Sequence, residues 1–437
     1  MEKTGNDYSC SRVPPGERCG LFTVAIIRIG ATTALGQFLI GAMLGHSLTF
    51  YQALLATLLG SLILEFVSFG LGVAASREGL STSLLARWCG FGQMGSVLIG
   101  VLIAVSLLGW FGVQNAMLAK GLDFAFEGKL GFAWAAVLSG MTITLLVSFG
   151  FRALGWIAFL AVPLFFLVVG WIALDLVWEY NPIELIFSVP SGEPMSIGFA
   201  ATVVAGGCIV GAVSAADMGR YCQNGKHVFW MITSSILVGE FVVNIVAILI
   251  AHALDTSDVL TAMTHTAGWV GLLALVLSAI KVNDLNLYSS SLAIVNAVQG
   301  ISGRQYGYKT ITLVLGICGT GLSVLGILDG IQHFLILLGV VFPPIAGVML
   351  CDYYILRTSR AILDHSRAHN TLPPSTSTPA IGWNAIVACL VGTAVGVSVD
   401  CGIASLNSLL TAVMVYGVLG LAKLQLAKVQ SVKKQCD

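Results

Sequence analysis

Apolar residues fill the chain in long runs separated by short polar segments. A membrane-spanning helix needs about 20 consecutive apolar residues. The pattern predicts twelve such helices, at 21–45, 50–76, 93–119, 131–150, 154–177, 196–217, 228–253, 267–297, 310–328, 331–356, 379–399 and 402–422. They are numbered spans 1 to 12 below. Cytoplasmic loops of membrane proteins carry an excess of Lys and Arg. With the N-terminus inside, all but four of the 21 Lys and Arg fall in cytoplasmic segments. Lys120 and Lys129 fall outside, and Arg28 and Lys281 lie within spans. Losing one helix from the count would invert every later loop, so the charge pattern supports twelve spans with both termini cytoplasmic.

Composition narrows the class. Of 437 residues, 57% are hydrophobic and 10% charged, and mean hydropathy is +0.92. Soluble domains run near 25% charged, so a water-soluble globular protein is excluded. A transmembrane β-barrel would show short alternating segments instead of long apolar runs. The 21 basic and 21 acidic residues cancel, leaving no general attraction for nucleic acid. The fold class is therefore an all-α polytopic membrane protein in a lipid bilayer. Ten cysteines show neither CxxC nor zinc spacing, and Cys89, Cys208, Cys318, Cys351 and Cys389 read as small packing residues. Seven histidines without metal spacing make no metal site. Residues 1–20 form a polar tail with no cleavable apolar core, so span 1 serves as the insertion signal. The acidic, Pro-bearing loop 178–195 suggests an ordered outer cap. The polar stretch 357–378 reads as a cytoplasmic linker, and 423–437 as a cytoplasmic tail. No Walker A motif or soluble domain is present, so transport driven by ATP hydrolysis in this chain is not expected, and no cofactor is expected.

Two spans carry glycines at mid-membrane. Span 1 contains the run from Arg28 through Gly30, Thr33 and Gly36 to Gln37, and span 6 contains Gly206, Gly207, Cys208 and Gly211. They lie five helices apart, as in inverted repeats whose two unwound helices face one site. Unwound backbone is tolerated at that depth only where it lines a cavity. Ordinary small-residue packing between helices is the competing reading.

Ionisable groups inside a membrane are costly and usually functional. Span 8 holds the densest polar cluster, with Lys281, Asn283, Asp284, Asn286 and Tyr288. Lys281 and Asp284 stand three residues apart and can meet on one face. They form either a structural ion pair or part of a substrate and coupling site. In span 3, Trp110 and Gln114 are one turn apart, so an aromatic surface and an amide share a side. A flat heteroaromatic ligand suits that pairing; packing alone is the alternative. Glu65 in span 2 and Glu240 in span 7 are the remaining deep acids. Either can carry a proton or pair with Arg28 or Lys281. Asp217, Asp329, Asp352 and His252 fall near span ends, where solvated roles are expected. No Ser/His or His/Asp cluster suggests an enzyme, and no repeated pore-lining polar pattern suggests a channel.

These features resemble the nucleobase:cation symporter-1 family, particularly its cytosine-permease branch. The matching stretches are Gly79–Arg87 after span 2, Gly109–Val113 in span 3, Asn283-Asp284 with Leu287-Tyr288 in span 8, and Pro343-Pro344 through Asp352-Tyr353 in span 10. The resemblance implies a leucine-transporter-type fold. It has five-helix inverted repeats at 21–177 and 196–356 and two peripheral helices at 379–422. It implies import of a nucleobase or related ring across a bacterial inner membrane by alternating access. The substrate is expected between spans 1, 3, 6 and 8. The stacking tryptophan falls on Trp110, the following glutamine on Gln114, the span 8 amide on Asn283, and the span 6 backbone contacts on Gly206 and Gly207. Gln37 is a further expected ligand.

This sequence departs from the family in three places. The second stacking aromatic aligns near Cys208, leaving the ring held from one face. The glutamine preceding the tryptophan in cytosine carriers aligns with Leu107. Cytosine, another pyrimidine, a purine and a thiamine-precursor ring thus stay open, as does a non-nucleobase ring such as allantoin or hydantoin. The third departure concerns the cation. The family's sodium site joins span 1 carbonyls, here near Gly30 and Thr33, to consecutive hydroxyl residues in span 8, here Lys281 and Val282. Sodium wants hard oxygen ligands. Valine has none, and an ammonium about 4 Å away repels a cation by roughly 4 kcal/mol at an effective dielectric of 20. The expectation is that Lys281 takes the place of sodium, making transport proton-coupled or uncoupled. A sodium-coupled symporter is the alternative.

Overall fold

The computed structural model describes residues 8, 11–149, 154–302 and 307–436. Lys3, Arg152, Arg304 and the last residue predicted for span 4 lie outside the described residues. Among the described residues the chain is helical with no β-strand. One isolated bridge joins Cys19 to Cys222.

Every predicted apolar run coincides with a helix or helix pair. Span 1 is Leu21–Thr32 followed by Leu35–Ser47, bent by 55°. Spans 2 to 6 are Phe50–Glu78, Gly92–Ala125, Phe132–Phe149, Leu154–Glu179 and Ile197–Val213. Span 7 is Gly225–Leu254 and span 8 is Val259–Ser302, kinked at Gly268. Spans 9 to 12 are Tyr308–Val324, Ile331–Leu356, Trp383–Ser398 and Ala404–Cys436. Among the described residues, seven helices are long and apolar enough to cross a membrane, and the bent pair makes eight. Spans 4, 6, 9 and 11 are shorter apolar helices. Local chemistry sets the boundaries. Thr49 and Gln52 form a capping box at the start of span 2. Gly79 ends that helix at φ +67°, where a Cβ would press on the Val13 carbonyl at 2.9 Å.

Packing follows a pattern. Span 8 lies along span 3 and span 9 along span 4; span 2 packs on span 6, and span 7 on span 1. Exchanging spans 1–5 with spans 6–10, each for its counterpart five places away, leaves this set of four pairs unchanged.

Span 6 departs from expectation. It runs as one helix through Gly206, Gly207 and Gly211, and its interruption falls at Ser214. The glycines serve close approach. A Cβ on Gly206 would overlap the Leu335 carbonyl of span 10, and one on Gly207 would overlap Ile40 of span 1. The Gly206 and Gly207 amides are therefore engaged in the helix ladder, and the expected backbone contacts to substrate are corrected to helix-packing positions. Gly206→Val forces span 10 away, at about 1–3 kcal/mol or more for overpacking. The expected outcome is loss of monodisperse protein on size-exclusion chromatography, with Cys208→Ala as an unaffected control.

The polar connections are ordered. Loop 178–195 contains the helix Pro182–Phe187, capped by Asn181, and Gly192 N donates to His46 O at 2.8 Å. The linker contains the helix Arg360–Ala368. Arg12 of the N-terminal segment reaches into it, donating to Ser366 Oγ (2.7 Å) and Thr371 O (2.8 Å). Arg12 also pairs with Glu78 Oε2 at 3.1 Å, and Glu78 Oε1 accepts from Arg367 Nη1 (2.8 Å) and Tyr353 OH (2.9 Å). The Arg12 and Glu78 side chains are 2% and 0% exposed, so this is a buried charge cluster. Desolvation lowers the Arg12 pKa from its ordinary value. Asp352, expected at a solvated span end, is buried and bonded by Thr358 Oγ1 at 2.6 Å.

Candidate substrate and cation site

The site is built around the break in span 1. Thr33 and Ala34 leave helical geometry, with ψ 96° and 155°. A helix end leaves carbonyls without partners, and at membrane depth they must be satisfied internally. Lys281 supplies the donor. Its Nζ donates to Gly30 O at 2.5 Å and to Thr33 O at 3.3 Å. Val282 beside it offers no oxygen. Among the described residues Lys281 makes no ion pair, and Asp284 Oδ1 has no hydrogen-bond partner. The Lys281–Asp284 pair allowed by their spacing is not formed, because the amine points across to span 1.

Just beyond this point span 1 touches predicted residues of spans 3 and 6. Gly36, one turn past the break, lies against Trp110 and Gln114. A Cβ there would stand 3.0 Å from the indole and 3.4 Å from the Gln114 amide nitrogen. Gln37 Nε2 contacts Cys208 Sγ of span 6. Both glutamines are buried, and the Oε1 atoms of Gln37 and Gln114 lack partners. Unsatisfied buried polar atoms are costly, so two free acceptors beside an indole are suited to a planar ligand that carries N–H donors.

The other expected ligands lie elsewhere. Asn283 is fully buried between spans 8 and 3. With its amide turned to satisfy both atoms, it donates to Phe111 O (3.2 Å) and accepts from Asn115 N (3.1 Å). That amide joins spans 8 and 3. The deep acids stand apart from the deep bases. Glu240 Oε1 accepts from Ser61 Oγ at 3.0 Å, and Glu65 Oε1 from Thr233 Oγ1 at 2.8 Å, both between spans 2 and 7. Arg28 Nη2 donates to Gly211 O at 3.1 Å. Among the described residues no ion pair links Arg28 or Lys281 to Glu65 or Glu240.

Phe334 was not singled out by sequence reasoning. Its ring meets Trp110 at 5.8 Å between centroids with an interplanar angle of 73°. An aromatic residue in an apolar run carries no signal of that contact. Two adjoining cavities of about 280 and 550 Å³ lie at the end of the bundle away from the N-terminal segment. Leu39, Met43 and Met117 line the smaller one, within about two turns of Gln37 and Gln114.

A family model described as permease for cytosine/purines, uracil, thiamine, allantoin matches residues 12–420. The cytosine permease of Escherichia coli strain K12 is 28% identical over 420 residues, covering 95% of this chain and 94% of that protein. A hydantoin permease of Microbacterium maritypicum is 23% identical over 372 residues, covering 79% and 74%. Among solved structures, the inward-facing conformation of Mhp1 superposes with TM-score 0.82 at 20% identity, covering 97% of this chain and 96% of that one. The closed conformation of Mhp1 with bromovinylhydantoin bound gives 0.74, also at 20% identity, covering 95% and 94%. These superpositions establish the shared transporter fold.

Proposed function

The chain belongs to the family of permeases for cytosine/purines, uracil, thiamine and allantoin, and on that premise we propose that it imports a nucleobase-like heterocycle by alternating access, without sodium. It does so as a twelve-span protein of a bacterial inner membrane with both termini cytoplasmic. Residues 21–177 and 196–356 act as two inverted five-helix repeats. The preserved pairing of spans under a five-place shift supports that division.

Trp110 offers a stacking face, and Gln37 and Gln114 offer acceptors to ring N–H groups. Relatives named as cytosine and hydantoin permeases carry rings with such donors. The observation that carries the sodium-independent reading is the Lys281 ammonium on the Gly30 and Thr33 carbonyls. A fixed positive charge fills the oxygen cage that would hold an alkali ion. When the amine gives up its proton it keeps two donors but loses the charge that strengthens both bonds. The tie between spans 1 and 8 then loosens, and the proton can travel with the cycle.

Uptake into proteoliposomes with sodium replaced by choline, at several pH values, tests this. Equal uptake in both media, with acceleration by an inward proton gradient, is the expected result. Uptake that collapses in choline would overturn it. A thermal-shift panel of cytosine, uracil, hypoxanthine, allantoin and hydantoin identifies the ring, since a ligand of the folded state raises its stability.

A further inference from the structure

We propose that Phe334 of span 10 is the second aromatic wall of the substrate site and sets the ring size it admits; this rests on the heterocycle reading above. Span 6 contributes no ring, because Cys208 stands there and its sulfur is taken by Gln37. Two glycines bring span 10 in instead. Gly206 of span 6 lets the Leu335 backbone, next to Phe334, approach closely. Gly109 of span 3 clears the space for the ring itself, since a Cβ there would stand 2.6 Å from Phe334 Cε2 and Cζ. The phenyl ring then meets Trp110 at a steep angle. Gly36, at the interrupted end of span 1, also lies against the indole.

Phe334 is half-buried and one turn below Ile331 and Gln332, which line the smaller cavity. It lies about one turn from that cavity and against Trp110. A single six-membered ring stacked on the indole keeps contact with the phenyl edge, whereas a fused bicyclic ring extends into the space Phe334 occupies. The aromatic pair thus favours monocycles over bicycles.

Binding of cytosine and hypoxanthine to purified full-length protein, read by calorimetry, tests the assignment in wild type, Phe334→Ala, Phe334→Leu and Gly109→Ala. In Phe334→Ala we expect about tenfold weaker cytosine binding, unchanged or tighter hypoxanthine binding, and hence at least a tenfold shift in their ratio. Phe334→Leu should show the same shift in smaller measure. Gly109→Ala, which pushes the phenyl ring aside while retaining it, should weaken cytosine alone. Melting curves of the ligand-free variants separate these effects from misfolding. Variants that fold and bind both rings as wild type does, or weaken both equally, overturn the role of Phe334 while leaving the transporter reading intact. A wild-type protein that binds neither these rings nor any other of the panel overturns both.

Discussion

Lys281→Ala is expected to lower uptake roughly thirtyfold or more, and Lys281→Ser with Val282→Thr is expected to restore uptake that now requires sodium. The substitution to alanine leaves the Gly30 and Thr33 carbonyls facing each other at membrane depth with no donor. Each unsatisfied group costs about 1–3 kcal/mol, so the pair costs roughly 2–6 kcal/mol, and each 1.4 kcal/mol is tenfold. Sodium cannot compensate in that variant, because Val282 supplies no oxygen. Two hydroxyls at 281 and 282 complete a cage of four oxygens of the hard type that sodium prefers. Proteoliposome uptake in sodium and in choline reads both outcomes. Near-normal uptake by well-folded Lys281→Ala, or sodium indifference in the double variant, would refute the assignment of this seat.

The largest expected loss of stability comes from Glu78→Ala. The carboxylate is fully buried and bonded by Arg12, Arg367 and Tyr353. Its removal strands the Arg12 guanidinium, and breaking a buried pair from one side costs about 3–5 kcal/mol. Replacing both partners by apolar groups removes the stranded charge. Arg12→Met with Glu78→Leu should therefore melt nearer to wild type than Glu78→Ala does. Thermal unfolding in detergent measures the ordering. A double variant less stable than Glu78→Ala would mean that the bonds from Arg12 to the linker helix dominate, contrary to this account.

Much of the architecture is legible in the chain because the hydrocarbon core imposes a simple length rule, and apolar runs obey it. The break in span 1 is legible for a related reason, since glycines and Thr33 interrupt an otherwise apolar run. The same signal misleads in span 6. A glycine that lets a helix unwind and one that lets another helix approach look alike, and the deciding group, the Leu335 carbonyl, is remote in sequence. Asn283 is a similar case. Its polarity marks it, but the Phe111 and Asn115 backbone that absorbs it belongs to another span. Spacing offered Lys281 a partner in Asp284, the deep acids Glu65 and Glu240 were open to it as well, and the resemblance pointed to the span 1 carbonyls; only tertiary packing chose among them. Phe334 carries no local mark at all, because its role arises where spans 3, 6 and 10 converge.

The grip of Arg12 on the linker helix also orders events during synthesis. Its partner Ser366 lies 354 residues further along. At about 5–20 residues per second, translation reaches that partner roughly 20–70 s after Arg12 has been made. Through that interval the nascent chain carries the Arg12 guanidinium without its eventual housing. The fastening of head to linker is therefore among the final steps of maturation. It can form only on a polypeptide elongated past its tenth span, so it sets chains that have reached the linker apart from shorter, stalled ones.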